Sequence, residues 1–230
     1  MINPKKYSAV IVAGGKGSRV GGELPKQFLP VGGKPILMHA IEAFYLFNKE
    51  MRIIVVLPEE FVSLWQQLCS EHHFIINYRI VVGGETRFHS VKNGLDEVAP
   101  EDFVAIHDGA RPFATPQLIQ MCYNESIENQ CGVIPVIDEI NSVRRLTDNG
   151  SEIVDRSQLK LVQTPQVFPA HLLKSAYELD YDSSYTDDAS VAEKYGVNIK
   201  LIPGEHTNIK ITTSLDIILA EQIEKYLSKR

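Results

Sequence analysis

A short apolar strand that runs straight into a glycine-rich, basic loop constrains this chain more than any other feature. Ala9-Val10-Ile11-Val12 leads into Ala13-Gly14-Gly15-Lys16-Gly17-Ser18-Arg19, and Pro25-Lys26-Gln27-Phe28 follows shortly after. Glycines let backbone N–H groups approach a polyanion closely, and cations on either side can hold phosphates about a reacting centre. The combination points to nucleotide chemistry. The spacing is not that of a P-loop, because no Ser or Thr follows a lysine after the glycines. It is not the dinucleotide fingerprint either, since Val20 stands where the third glycine belongs. A plain strand-to-helix connection is the competing reading. Lys16, Arg19 and Lys26 gathered in one stretch favour phosphate binding over it.

Whole-chain properties narrow the function classes. A chain of 230 residues is expected to form one α/β domain with a substantial core. Its net charge of −6 argues against a general binder of nucleic acid or membrane surface. The cations of the first loop therefore act by local concentration. Cys69, Cys122 and Cys131 are widely spaced and odd in number, outside any CxxC or Cys/His ligand pattern. They read as small core residues in a reducing compartment. No apolar run approaches membrane-spanning length, and residues 1–6 are basic without an apolar stretch behind them. The expected location is the cytoplasm.

Strands and helices alternate along the chain. Pro35 opens a helix on which Ile36, Leu37, Ala40, Ile41 and Phe44 recur at helical spacing. Residues 52–57 form a continuous apolar strand, followed by a helix with Phe61, Leu64, Trp65 and Leu68 on one face. A third strand at 79–82 precedes a helix marked by Phe88, Val91, Leu95 and Val98. A fourth at 103–106 precedes a helix started by Thr115-Pro116, and a fifth spans 132–136. Short apolar strands between amphipathic helices are buried on both faces, which implies a mainly parallel, three-layer α/β/α sheet. Ligands of such open sheets sit beyond the carboxyl ends of the strands, where each of the motifs below is found. The last helix, 215–227, begins behind Thr213, with Asp216 as its capping acid.

Residues 138–158 break the alternation. Asp148-Asn149-Gly150 is a hairpin turn between Val143-Arg144-Arg145-Leu146 and Glu152-Ile153-Val154. An isolated two-stranded ribbon is marginal in water, so it needs a surface to lean on. A second copy of the chain is the economical answer: an arm that mediates a homodimer and delivers Arg156 at its returning end. A loose surface hairpin is the alternative.

Five further motifs stand at strand ends or helix starts. Gly83-Gly84-Glu85-Thr86-Arg87-Phe88-His89-Ser90-Val91 puts Arg87 and Ser90 on one face of a helix start, suited to reading the edge of a base. An ordinary capped helix is the alternative there. His107-Asp108-Gly109-Ala110-Arg111-Pro112 ends a buried strand with a carboxylate, and Asp108 suits Mg²⁺ shared with substrate phosphates. Arg111 can grip an anion bidentately, or simply pair with Asp108. His107 reads as a satisfied core histidine. In Gln163-Thr164-Pro165-Gln166-Val167-Phe168, the end of one strand enters a helix, and Thr164 either meets a phosphate or caps. Thr186-Asp187-Asp188-Ala189 reads as the capped start of a helix ending at Gly196, its acids structural. Asn208-Ile209-Lys210-Ile211-Thr212 is expected to be a strand whose Lys210 either snorkels to solvent or, as the sharper reading, meets a nucleotide α-phosphate.

Taken in order, AGGKGSR…PKQF, GGETRFHSV, HDGARP, VDR, QTPQVF, TDDAS and NIKIT resemble the 2-C-methyl-D-erythritol 4-phosphate cytidylyltransferases of non-mevalonate isoprenoid synthesis. The resemblance runs from the first strand to the last helix. It implies a Rossmann-like nucleotidyltransferase fold and transfer of CMP from CTP to a sugar-alcohol phosphate, with Mg²⁺ as cofactor and pyrophosphate as leaving group. It further implies that Arg19 and Lys26 stabilise the transition state, and that Ala13, Gly14 and Gly15 lie along the nucleotide. Gly84, Glu85, Arg87 and Ser90 would lie near cytosine, and Asp108 near the metal. Arg111, Thr164 and Lys210 would meet the acceptor phosphate, with Arg156 reaching in from the partner's arm. The family's Pro-Val-x-Asp-Thr is here Pro135-Val136-Ile137-Asp138-Glu139, so Glu139 replaces a threonine that contacts the acceptor. A ribitol 5-phosphate cytidylyltransferase and a non-catalytic nucleotide-binding module are the competing readings. The Gly83-Gly84-x-x-Arg87-x-x-Ser90-Val91 and Thr186-Asp187-Asp188-Ala189-Ser190 patterns favour the isoprenoid enzymes over the first. The joint presence of Arg19, Lys26, Asp108 and Lys210 weighs against the second. An acceptor phosphate needs no general base, which agrees with the lack of any Ser/His/Asp or Cys/His constellation.

Overall fold

The computed structural model describes residues 7–15 and 24–229, so the expectations for Lys16 and Arg19 lie outside the described residues. In chain order the first elements are β1 (Tyr7–Val12), the short ribbon β2 (Pro30–Val31) and β3 (Lys34–Pro35), α1 (Ile36–Phe47), β4 (Arg52–Leu57), α2 (Val62–Glu71), β5 (Arg79–Val82), α3 (Arg87–Leu95), β6 (Phe103–Asp108) and α4 (Pro116–Asn129). The second half adds β7 (Gly132–Asp138), β8 (Val143–Thr147), β9 (Gly150–Val154), β10 (Lys160–Val162), β11 (Gln166–Pro169), α5 (Ala170–Ala176), α6 (Asp188–Tyr195), β12 (Ile199–Pro203) and α7 (Ser214–Leu227).

One eight-stranded sheet runs β10-β7-β11-β6-β1-β4-β5, with β12 also paired to β7. Strands β1, β4, β5 and β6 pair in parallel, as do β7 and β12, while β10 and β11 run against them. The sheet is covered on both faces, which is why β4 carries apolar residues without a break from Ile53 to Leu57. Ala9, Ile11, Ile53, Val55 and Ala105 pack against α1, Trp65 of α2 and α4. Their neighbours Val10, Ile54, Val56, Val104 and Ile106 pack against α3, α5 and α6. This alternation is the period-two consequence of a pleated strand. Helix α7 closes a smaller cluster with Val31, Ile36, Phe113 and Ile211. The mainly parallel three-layer architecture expected from the alternation is therefore what the chain forms.

Local signals hold at most element ends. Thr115 caps α4 by accepting from Leu118 N at 3.1 Å, with Pro116 in its first turn. Asp187 and Thr213 each close a capping box at the start of α6 and α7, and Gly196 ends α6 in the left-handed region. The three cysteines are free thiols.

Two assignments need correction. Residues 166–169 do not enter a helix directly but form β11, inserted antiparallel between β6 and β7, with α5 starting only at Ala170. Four residues carry too little periodicity to separate a strand from a helix start, and cross-strand pairing decides. Residues 208–212 are not a strand but an irregular segment, anchored where Ile211 N donates to Ala110 O at 2.9 Å. Strand β12 has no counterpart in the sequence reading. The hairpin of β8 and β9 is a separate two-stranded sheet whose Leu146 and Ile153 are 84% and 78% exposed.

Candidate active site

Three parallel strands end together and fix the site. Val12 lies in register with Asp108, and Gly109 N donates to Val12 O at 2.9 Å. Gly83 N donates to Leu57 O at 2.8 Å, which brings the loop between β5 and α3 to the same edge. A Cβ on Gly109 would sit 3.0 Å from the Ala13 Cβ and 3.2 Å from Val12 O, so a glycine lets these two loops leave the sheet side by side. Because β11 runs antiparallel, the residues just before it, including Thr164, also lie at this edge.

The loops enclose a cavity of about 280 Å³. Ala13, Gly14, Gly15, Lys26, Gly84, Glu85, Arg87, Ser90, Asp108 and Lys210 all line it. A second cavity of about 200 Å³ is lined by Arg111, Thr164, Thr186 and Asp187, and shares Arg87, Asp108 and Lys210 with the first. Those three side chains form a common wall. Lys26 and Lys210 are 184 residues apart in the chain and face one chamber, as the anion-site reading requires.

Asp108 is the hub of the wall. It is buried, with Lys210 Nζ 2.9 Å from Oδ2, Arg111 Nε 3.4 Å from Oδ2 and Arg87 Nε 3.5 Å from Oδ1. Burial alone would raise its pKa, but Arg87, Lys210 and Arg111 overcome that and hold the carboxyl well below the usual carboxylate range. Arg111 also donates to Asn208 O at 2.8 Å and to Val162 O at 3.3 Å. Burial lowers its pKa and Asp108 counters. The ion pair between Asp108 and Arg111 and the placement of Arg111 beside the second cavity are both present. His107 is fully buried, 3.0 Å from Arg111 O and 3.1 Å from Thr164 Oγ1, and desolvation pushes its pKa down to about 4. It is a neutral core histidine, as the sequence suggests.

Other expected residues take more specific roles. The Ser90 hydroxyl is buried against Gly84, accepting from Gly84 N at 3.1 Å. Thr164 Oγ1 accepts from Asp108 N at 3.0 Å, so this hydroxyl braces the Asp108 loop while lining the second cavity. Arg87 does not present its guanidinium beside Ser90 on an open face. It is turned to Asp188, donating from both terminal nitrogens at 3.0 and 2.6 Å, and to Asp108. Burial works against its charge, yet Asp188 and Asp108 raise its pKa well above the usual value. Arg156 and Glu139 are not brought to either cavity within this chain. Arg156 is exposed at the base of the hairpin and donates to Ile140 O, while Glu139 accepts from Asn141 N at 2.6 Å.

Sequence reasoning missed three supporting amides. Gln27, 2% exposed, donates to Ala13 O at 2.8 Å and so fixes the backbone of the glycine loop. Gln163 donates to Glu205 O at 2.8 Å, and Asn208 to Thr164 O at 2.8 Å, tying the segment carrying Lys210 to that carrying Thr164. A buried amide carries no periodic or spacing signal. The only hint lay in Gln27 and Asn208 standing next to or near a candidate lysine.

Comparisons with known proteins agree with this geometry. A family model for the 2-C-methyl-D-erythritol 4-phosphate cytidylyltransferases, IspD, matches residues 7–225. The chain is 55% identical over 212 residues to a protein of that name from Bacteroides thetaiotaomicron, covering 92% of this chain and 96% of that relative. It is 55% identical over 216 residues to the one from Bacteroides fragilis, covering 94% and 98%. Among solved structures, the 4-diphosphocytidyl-2C-methyl-D-erythritol synthase of Anaerococcus prevotii superposes with a TM-score of 0.81 at 28% identity, over 96% of both chains. With the edge cavity, its lysines and these matches together, the chain belongs to the 2-C-methyl-D-erythritol 4-phosphate cytidylyltransferase (IspD) family.

Proposed function

We propose that this chain transfers CMP from CTP to 2-C-methyl-D-erythritol 4-phosphate, releasing pyrophosphate, as one nucleotidyltransferase domain acting in the cytoplasm. The observation that carries this reading is the pair of adjoining cavities with cations on a shared wall. A transfer between two polyanions needs a chamber for each and positive charge where they meet.

In this reading CTP occupies the larger cavity. Its base lies toward Gly84, Glu85 and Ser90, and its phosphates lie along Ala13, Gly14 and Gly15 with Lys26. The acceptor phosphate lies in the smaller cavity toward Arg111 and Thr164. One of its oxygens attacks the α-phosphorus in line, a new P–O bond forms, and the bond to the β-phosphate oxygen breaks, so that pyrophosphate carries away the electron pair. The nucleophile is already an anion at neutral pH, so no proton needs to be taken from it. Lys26 and Lys210 neutralise charge that shifts onto the α- and β-phosphate oxygens, which accelerates the step because that charge is larger in the transition state.

Lys210 and Arg111 engage Oδ2 of Asp108, and Arg87 stands 3.5 Å from Oδ1, so Mg²⁺ at this carboxylate would share Oδ1. Asp108 is an ionised carboxylate lining both cavities, and no group of three or more metal-ligating side chains stands together among the described residues. That donor set suits an ion held by a single carboxylate and mainly by phosphate oxygens and water. Bound there, Mg²⁺ would supply charge neutralisation to the triphosphate. The arm completes the site in the dimer, with the Arg156 and Glu139 of each copy serving its partner. The high exposure of Leu146 and Ile153 supports this.

The test is pyrophosphate release from CTP with 2-C-methyl-D-erythritol 4-phosphate and, separately, with ribitol 5-phosphate. Turnover at least a hundredfold higher with the first is expected. Preference for ribitol 5-phosphate would move the chain to the sister activity, and no release with either would leave a binding module.

A further inference from the structure

The two acids that open α6 do different work. Asp187 is the cap: its side chain accepts from Ser190 N at 2.9 Å and closes the capping box. Asp188, the next residue, is not needed for that. It is 0% exposed and accepts both terminal nitrogens of Arg87, 101 residues away, at 3.0 and 2.6 Å. Tyr177, itself 1% exposed, donates its hydroxyl to Asp188 Oδ1 at 2.7 Å. The start of α6 is in turn clamped to the sheet by Gln166, which donates to Asp187 Oδ2 at 2.8 Å and accepts from Ala189 N at 2.9 Å. A rigid line therefore runs from β11 through α6 and Asp188 to Arg87, and from Arg87 to Oδ1 of Asp108.

We propose that Asp188 is a positioning residue of the transferase site: it restrains Arg87 so that Asp108 keeps its Oδ2 for Lys210 and Arg111. The proposal rests on the transferase reading above and goes beyond it, since Asp188 touches neither cavity. Its physical content is a count of charge and of hydrogen bonds. Three cations, Arg87, Arg111 and Lys210, converge on the one carboxylate Asp108, and Asp188 neutralises one of them from behind. A bidentate guanidinium–carboxylate pair fixes the plane of Arg87 and turns its Nε toward Asp108. Without the Asp188 charge, Arg87 turns its fork onto Asp108. Two consequences follow. The chambers gain one uncompensated positive charge, which draws a nucleotide polyanion more tightly. Lys210 and Arg111 lose their anchor on Asp108, which spoils the in-line geometry that a tighter ground state cannot replace.

The experiment is a double-mutant cycle on Asp188→Asn and Arg87→Gln, with thermal denaturation confirming the fold of each chain. CTP binding is measured by calorimetry without acceptor, and pyrophosphate release with it. Asp188→Asn is expected to lower kcat at least tenfold while the CTP Kd falls at least threefold. In the Arg87→Gln background the same change should move either quantity less than threefold. A kcat within threefold of wild type, CTP binding that is unchanged or weaker, or equal effects in both backgrounds would each overturn the proposal. Should Asp188→Asn fail to fold, Tyr177→Phe removes one hydrogen bond from Asp188 without altering charge. Its kcat is expected to fall by threefold or more, and full activity overturns the role. A wild-type chain that binds CTP yet releases no pyrophosphate refutes the transferase reading by itself, and a wild-type chain that does not bind CTP refutes both.

Discussion

At the scale of single residues, the decisive fact is that cations far apart in the chain share one small chamber. Lys26 follows the glycine loop and Lys210 sits in an irregular segment near the C-terminus, yet both line the same cavity as Asp108. Lysine on a flexible stem acts as a point charge, so its value lies in where it is held. Replacing Lys26 with alanine is expected to lower turnover by roughly two to four orders of magnitude, as for loss of a transition-state charge. Pyrophosphate release by Lys26→Ala measures this, and near-normal turnover would contradict the role. The residues that could be named beforehand were those in glycine-flanked or strand-end motifs. The partner of Arg87 could not, because Asp188 and Asp187 look alike in a sequence where both suit the N-terminus of a helix.

At the scale of elements, close approach of α3 to the sheet places the loop between β5 and α3 at the cavity. Gly94 lies on the buried face of α3, and a Cβ there would sit 2.5 Å from Val10 Cγ1 and 3.0 Å from Val56 Cγ2. Alanine at this position gains up to about 1 kcal/mol of helix propensity. Overpacking against two fully buried valines costs about 1–3 kcal/mol and outweighs that gain. Gly94→Ala is therefore expected to lower stability by about 1 kcal/mol, read from the urea midpoint, and a more stable variant would show that α3 does not touch β1. Helix α3 was legible from Phe88, Val91 and Leu95, whose spacing matches their burial. Strand β11 was not, because Gln166–Pro169 is too short for a period to declare itself and owes its extended form to β6 and β7 on either side.

At the scale of the whole molecule, the hairpin is a separate two-stranded sheet among the described residues. In the register of β8 and β9, Arg144 faces Ile153 and Leu146 faces Ser151, so Leu146 and Ile153 project from one side of the ribbon. Both are largely exposed, and a ribbon of this kind is marginal on its own. The chain is expected to sediment as a dimer at micromolar concentration. Paired Leu146→Glu and Ile153→Glu substitutions are expected to yield a folded monomer with turnover reduced about tenfold or more, because in the proposed dimer Arg156 would then no longer reach the partner's site. A wild-type monomer with full activity would remove the arm from the mechanism.

What the sequence determined by itself is local in origin. The alternation of buried strands with amphipathic helices, the caps at Thr115, Asp187 and Thr213, and the glycine loop beside its lysine each arise from residues within a few positions of one another. Tertiary structure alone decided the antiparallel insertion of β11, the irregular path of residues 208–212 and the pairing of Arg87 with Asp188 across 101 residues. The reason is physical. Periodicity and capping are written by nearest neighbours, whereas a short strand or a buried charge takes its state from whichever distant groups complete its hydrogen bonds.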